Sequence, residues 1–280
     1  MSGPQANWLP DGRRLHLHHG PIDMIVGVEG AGRDAAFQRA VARFGALLDE
    51  LVAELPRLRR PCGGPVEAET AQRMVEAVRP FAPDFVTPMA AVAGAGAETI
   101  LAAVLAGPGV SKGYVNNGGD VAFHIAPGET MTAAIASPVP GTVTLRAGDP
   151  VRGVATSGAG GRSHSLGIAD AVTVLAQGAA TADAAATMIA NAVDLPGHPA
   201  IVRVPACDLS PDSDLGARAV TQEVGTLDVC EIATALEAGR SYAARLVARG
   251  IIQAACLSLR GACVTVGETV MIEERDPEHA

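Results

Sequence analysis

Residues 171–187 read Ala171-Val172-Thr173-Val174-Leu175-Ala176-Gln177-Gly178-Ala179-Ala180-Thr181-Ala182-Asp183-Ala184-Ala185-Ala186-Thr187. The first six residues alternate like a β-strand, and a small-residue helix is expected to open at Ala182. Positions four apart on a helix share one face, so Asp183 and Thr187 project together near its start. A carboxylate and a hydroxyl are hard oxygen donors and make half of a Mg²⁺ site. The alanines around them leave room for a ligand against the backbone. A plainer reading stays open, in which Asp183 caps the helix N-terminus.

Two further Gly-rich polar segments lie upstream, each beside an expected strand. They are Tyr114-Val115-Asn116-Asn117-Gly118-Gly119-Asp120-Val121-Ala122 and Ala155-Thr156-Ser157-Gly158-Ala159-Gly160-Gly161-Arg162-Ser163-His164-Ser165. Glycine supplies φ > 0 and lets backbone amides approach a ligand; successive N–H groups cradle a phosphate or a ring carbonyl. In this order the three motifs resemble the ApbE superfamily, whose well-known members are FAD:protein FMN transferases. There a Gly-Gly-Asp or Gly-Gly-Glu turn, a Ser-Gly segment followed by His, and an Ala-Asp-Ala-x-x-Thr helix follow one another. The His-Gly-Pro-Ile-Asp opening at residues 19–23 and the Asn-Asn-Gly-Gly-Asp turn look most like a short cytoplasmic branch of that superfamily. The resemblance to the branch covers nearly the whole chain. The resemblance to the transferases themselves covers roughly residues 85–192.

The resemblance implies a flavin nucleotide as ligand, FAD or FMN. It implies Mg²⁺ held by Asp183, Thr187 and the Ala93 carbonyl, with His164 as general base. Asn116, Asn117, Gly118, Gly119, Asp120, Thr156, Ser157, Gly158 and Arg162 would contact the nucleotide. The implied reaction is transfer of FMN from FAD to a Thr or Ser of a partner redox protein. The alternative is a non-catalytic flavin- or heterocycle-binding accessory protein of a cytoplasmic redox system. One departure bears on that choice. The family carries Lys-Gly after the Ala whose carbonyl completes the metal site, whereas this chain reads Ala91-Val92-Ala93-Gly94-Ala95. Gly94 stands where the Lys would be, so a cationic contact to the nucleotide is lost. The Ser-Gly segment is shortened, and the region after Pro196 has no clear counterpart.

Taken alone, several of these residues have a structural reading as well. His164 is either a base that titrates near neutral pH or a hydrogen-bonded loop histidine. Arg162 is either a phosphate fork or a surface charge. Asp120 either binds ribose or a ring nitrogen, or closes an Asx turn. His16 and His18 share a strand face, with Asp23 close in sequence, and read as a metal pair or as a polar strand edge. Asp212 and Asp214 look like paired carboxylates, though two residues apart they more often cap a helix than share a proton. No Walker loop, dinucleotide fingerprint or Gly-x-Ser-x-Gly elbow is present, which leaves a hydrolase without a nucleophile.

Composition narrows the classes. The net charge of −9 argues against nucleic-acid or anionic-membrane binding. Arg57-Leu58-Arg59-Arg60 reads as a helix end, where positive charge is favoured. Aromatic residues make up only 3% of the 280, so Ala, Val, Leu and Ile must build the core. The stretch 1–14 shows no apolar export signal, and the apolar stretch 89–105 is interrupted by Glu98 and reads as a buried helix. Five cysteines without metal spacing fit unpaired thiols in a reducing compartment, so a cytoplasmic location is expected.

The coarse pattern predicts strands over 16–28 around Gly20-Pro21, helices over 33–60, 66–78 and 89–106, and strands at 114–115 and 121–125. Further strands are expected at 131–135, 142–145, 151–156 and 170–176, then a helix over 182–193. The last third predicts a strand at 201–204 and a helix start near 209–215. A helix over 229–249 is broken at Gly239, and 251–259 and 262–266 read as strands or as a tight helix–strand pair. With no composition shift along the chain, the expectation is α+β: one ApbE-like domain over 1–280, helices packed on mixed or antiparallel sheets. Residues 1–14 and 268–280 are expected to be flexible, and a homo-oligomer is compatible with the sequence.

Overall fold

A computed structural model describes residues 3–61, 64–135, 141–161, 163–267 and 272–274. The elements begin with β1 (Gln5–Trp8), β2 (Arg14–His19), β3 (Ile22–Glu29), α1 (Arg33–Leu58) and α2 (Glu69–Val78). A 3-10 turn at Pro88–Ala91 leads into α3 (Val92–Leu105). Strands β4 (Lys112–Asn117), β5 (Asp120–Ile125), β6 (Thr130–Ile135), β7 (Gly141–Arg146), β8 (Gly153–Ser157) and β9 (Ala171–Ala176) follow. The chain continues through α4 (Ala179–Ala192), β10 (Ile201–Pro205), α5 (Ala206–Leu209), β11 (Ala219–Val224) and α6 (Val229–Ala248). It closes with β12 (Ala254–Leu259), β13 (Ala262–Gly267) and β14 (Ile272–Glu274). The α+β class holds, with helices and antiparallel sheets.

The chain divides into two compact units: Met1–Met131 with Leu145–Ala155 and Ala176–Asp183, and Thr132–Thr144 with Thr156–Leu175 and Ala184–Ala280. In the first unit, antiparallel strands run in the order β1-β2-β3-β4-β5-β8. Leu15 and Leu17 of β2, and Met24 and Val26 of β3, alternate into the core as period-two strands must. On α1, Ala36, Phe37, Ala40, Phe44, Leu47 and Leu51 form one buried stripe. The segment Pro88–Leu105 is long and apolar enough to cross a membrane by composition, yet more than half of it is buried within the fold. Glu98 in its middle accepts the backbone N–H of Ala180 at 2.9 Å and pairs with Arg73 at 3.2 Å.

In the second unit, β12 pairs with β9 and with β13, β10 pairs with β11, and β7 pairs with β14, all antiparallel. Helix α6 starts at a capping box, in which Asp228 accepts from Glu231 N and Glu231 accepts from Asp228 N. It packs on β12 and β13.

Several expectations change. The stretch expected to be flexible at the N-terminus contains β1, paired with β2 from Gln5↔His18 to Trp8↔Leu15. The second helix begins at Glu69 rather than Val66, because Glu54 of α1 ties down the N–H groups of Glu67 and Ala68. Gly239 does not break α6: a Cβ there would press on Val193 and Leu257, so its role is close packing. No helix starts at Asp212 or Asp214; α5 precedes them, and the N–H groups of Ser213 and Gly216 close turns onto Ser210 and Ser213. Strand β11 went unread in a run of mixed polar residues. Residues 268–271 and 275–280 of the expected C-terminal tail lie outside the described residues, whereas Ile272–Glu274 form β14.

Candidate functional site

Helix α4 starts three residues earlier than its alanine run suggests, at Ala179. Asp183 is therefore the fifth helical residue and cannot cap its own helix. Its Oδ2 instead accepts the Gly94 N–H at 3.0 Å, in the first turn of α3. That N–H is one of the donors a helix start leaves without an intrahelical acceptor. The favour is returned: Glu98 of α3 accepts from Ala180 in the first turn of α4. The two helices cap each other with side chains from mid-helix positions. Gly94 permits the close crossing, since a Cβ there would lie 2.7 Å from Ala180 N and closer still to the Ala179 carbonyl.

The β4–β5 hairpin meets this crossing. Its two-residue turn places both Gly118 and Gly119 at positive φ, +67° and +116°, as a type I′ turn requires. Asn117 and Asp120 are paired across that turn. Asn116 Oδ1 accepts the Gly119 N–H at 2.9 Å and points back into the turn. Asn117 Nδ2 donates to the Ala93 carbonyl at 3.0 Å. Asp120 is buried and acts electrostatically on Asp183. Burial first, and the Asp120 charge second, push the Asp183 carboxyl well above the usual carboxylate range, against the lowering effect of the Gly94 and Ala93 N–H groups. Asp183 nevertheless keeps a partly exposed surface. Two desolvated carboxylates and a carbonyl thus converge at a helix crossing. Such hard oxygen donors suit a hard divalent cation, which would relieve the repulsion between the acids.

The remaining expected site residues belong to the second unit or fall outside the described set. Thr187, one turn beyond Asp183 along α4, points its Oγ1 to Ser157 Oγ at 3.4 Å. Thr156 Oγ1 lies 2.9 Å from Thr173 Oγ1. At Gly158, φ is +154° and a Cβ would come within 2.5 Å of the Asp170 carbonyl, so that glycine serves the chain path. His164 is exposed in an irregular segment, and no described hydrogen bond holds its ring. Arg162 lies outside the described residues.

The structure thus brings together Ala93, Asn117, Asp120 and Asp183, while Asn116, Gly118 and Gly119 build the hairpin that carries two of them. Sequence reasoning gave Asp120 to the nucleotide and overlooked its proximity to Asp183. It treated Glu98 only as an interruption of an apolar run. A lone acid inside a small-residue helix was the signal for Glu98, since such a charge needs a partner.

A mixed fold of antiparallel sheets and helices, with an acidic pair at the crossing of two Ala/Gly-rich helices, defines the class. The family described as "AbpE bacteria" matches residues 6–267, and the chain belongs to it. A UPF0280 protein of Methanopyrus kandleri is 37% identical over 180 residues, covering 60% of this chain and 69% of that protein. A UPF0280 protein of Methanothermobacter thermautotrophicus is 43% identical over 117 residues, 40% of this chain and 44% of its own length. The chain therefore spans about two thirds of the first relative and less than half of the second. Among solved structures, the apo flavinyl transferase ApbE of Pseudomonas stutzeri aligns with a TM-score of 0.50 at 15% identity, over 95% of each chain. A mutant of flavin transferase ApbE from Vibrio cholerae aligns with a TM-score of 0.50 at 13% identity, over 92% of this chain and 98% of that one. At these identities the likeness is one of fold.

Proposed function

We propose that this chain binds a flavin nucleotide and uses Mg²⁺ at Asp183 to transfer FMN from FAD to a Thr or Ser of a partner protein. The observation that carries the reading is the convergence of Asp183, Asp120 and the Ala93 carbonyl at the α3–α4 crossing. The printed names of the solved structures, flavin and flavinyl transferase, support the choice of ligand. Asp183 and the Ala93 carbonyl would hold the cation, and Asp120 would add a second negative charge. Mg²⁺ bound there would neutralise the pyrophosphate and polarise phosphorus for attack. Asn117 holds the Ala93 carbonyl in place, and the Asn116–Gly119 hydrogen bond keeps the hairpin turn rigid. His164 accepts the proton of the acceptor hydroxyl as its oxygen bonds to the FMN phosphorus. The pyrophosphate P–O bond breaks and AMP leaves.

The test is AMP release from FAD in the presence of Mg²⁺ and co-encoded redox proteins as acceptors, with covalent flavin fluorescence read on a denaturing gel. Loss of a general base costs on the order of 10²–10⁴ in rate. His164→Ala is expected to slow release by about that factor with FAD affinity unchanged. If no acceptor is labelled and no AMP forms, the transferase reading fails. A second reading has an observation of its own. Gly94 is packed against the Ala179 carbonyl, so no side chain takes the place of the family Lys. That favours an accessory protein that binds flavin without transferring it, and FAD binding without AMP release would establish it.

A further inference from the structure

The β2–β3 hairpin carries a second cluster, distant in chemistry from the acidic pair. Leu15, Leu17 and His19 of β2 are buried, which turns His16 and His18 to the opposite face. The register sets His18 directly opposite Asp23 and His16 opposite Ile25. Asp23 thus sits between the two imidazoles. Its Oδ2 is 3.0 Å from His16 Nε2 and 3.4 Å from His18 Nδ1. The two rings lie with centroids 6.1 Å apart and planes tilted by 32°. One donor atom from each of the three residues lies within 4.8 Å of the others. Among the described residues, this is the one group of three or more His, Cys, Asp or Glu side chains that converges so.

His18 Nδ1 supplies a separate indication. The atom is shielded from solvent and makes no hydrogen bond, although the Asp23 carboxylate is within reach of it. A ring nitrogen shielded from solvent and left without a hydrogen bond is costly, and in the tautomer that carries the proton on Nε2 this nitrogen offers its lone pair to a cation. We propose that His16 Nε2, His18 Nδ1 and the Asp23 carboxylate form a binding site for a borderline first-row divalent ion of the Zn²⁺ type. Bonds of about 2.0–2.2 Å in tetrahedral arrangement set donors roughly 3.3–3.5 Å apart. The two observed separations need only small side-chain adjustment to meet that. Two imidazoles and one carboxylate favour Zn²⁺, Co²⁺ or Ni²⁺ over Mg²⁺, which prefers oxygen donors alone. Three protein ligands leave a fourth position to water. All three side chains are partly or largely solvent-accessible, so the ion enters without any rearrangement of the core.

The proposal is independent of the flavin reading and is tested by its own ion. Tag-free full-length protein, with its cysteines alkylated, is titrated with Zn²⁺ alone at neutral pH by calorimetry. Co²⁺ absorption then reports the ligand field. One equivalent is expected to bind, and the Co²⁺ spectrum is expected to show visible d–d bands without thiolate charge transfer. His16→Gln, His18→Gln and Asp23→Asn alter the outer strand face, and each is expected to weaken Zn²⁺ by about 10–100-fold or more. Their melting temperatures should stay within about 2 °C of wild type, as surface changes cost within about 0.5 kcal/mol. Asp183→Asn, which alters the acidic pair, should leave Zn²⁺ affinity intact. Absence of a one-equivalent site in the wild type overturns the proposal. So does retention of wild-type affinity in His16→Gln and Asp23→Asn.

Discussion

Replacing Gly94 by alanine probes the crossing on which the acidic pair depends. The new Cβ would lie 2.7 Å from Ala180 N and nearer still to the Ala179 carbonyl, where ordinary contact begins at 3.4 Å. Both obstacles are backbone of the first turn of α4, and Glu98 holds that turn through the Ala180 N–H. No flexible side chain can swing aside, so the two helices must separate. Overpacking of this kind costs about 1–3 kcal/mol, and a clash against backbone belongs at the upper end. Exchanging Gly for Ala inside a helix returns at most about 1 kcal/mol. The expected net loss is about 2 kcal/mol, or about 4–8 °C in Tm for a chain of this size. Thermal melts followed by far-UV circular dichroism measure it. The same geometry predicts that Gly94→Lys, which restores the residue type of the resembling transferases, destabilises the chain at least as much and brings no gain in activity. A Gly94→Ala protein that melts at or above the wild-type temperature would refute the close crossing.

Other outcomes follow from the same contacts. Glu98→Ala removes the acceptor for Ala180 N–H and the partner of Arg73, and should lower stability by about 1–3 kcal/mol in urea unfolding. Gly239→Ala would set a Cβ 2.8 Å from Leu257 Cδ2 and closer to Val193, so it should destabilise by about 1–3 kcal/mol despite the helix-propensity gain. Folding raises the pKa of Asp183 above its unfolded value, so its contribution to stability is complete below the unfolded pKa and is lost as pH rises through the folded one. Metal-free Asp183→Asn should therefore melt above wild type at neutral pH, and the difference should vanish in acid. At a Mg²⁺ concentration of about 100 Kd the wild type should gain about 2.7 kcal/mol, and Asp183→Asn should gain far less.

Long periodic elements were legible in the sequence. The buried stripe of α1 and the alternation of β2 and β3 carry their structure in the spacing of apolar residues. Asn117-Gly118-Gly119-Asp120 was legible as a turn, since I′ geometry needs positive φ at both glycines. Helix starts were not. The residues just before α2 and the first turn of α4 are held by Glu54 and Glu98 from other helices, 14 and 82 positions away in sequence, so no local capping signal exists to read. The same reason sets Asp183 at the fifth position of its helix and not at the cap of the alternative reading. Its placement beside Ala93 followed from the family resemblance. Its placement beside Asp120 needed the tertiary fold, because residues 63 positions apart share no periodicity. The metal reading of His16 and His18 lacked one fact the sequence does not contain: the register that sets Asp23 opposite His18.

The central claim is that the acidic pair holds a cation that serves a flavin nucleotide. Its most direct test is calorimetric titration of FAD into wild type and Asp183→Asn, each with and without Mg²⁺. Asparagine retains an acceptor for the Gly94 N–H while removing the charge, so the helix crossing should persist. The account predicts one FAD per chain, tighter binding with Mg²⁺ in the wild type, and no Mg²⁺ effect in the variant. FAD binding that ignores Mg²⁺ in both proteins, or no binding in either, would contradict it.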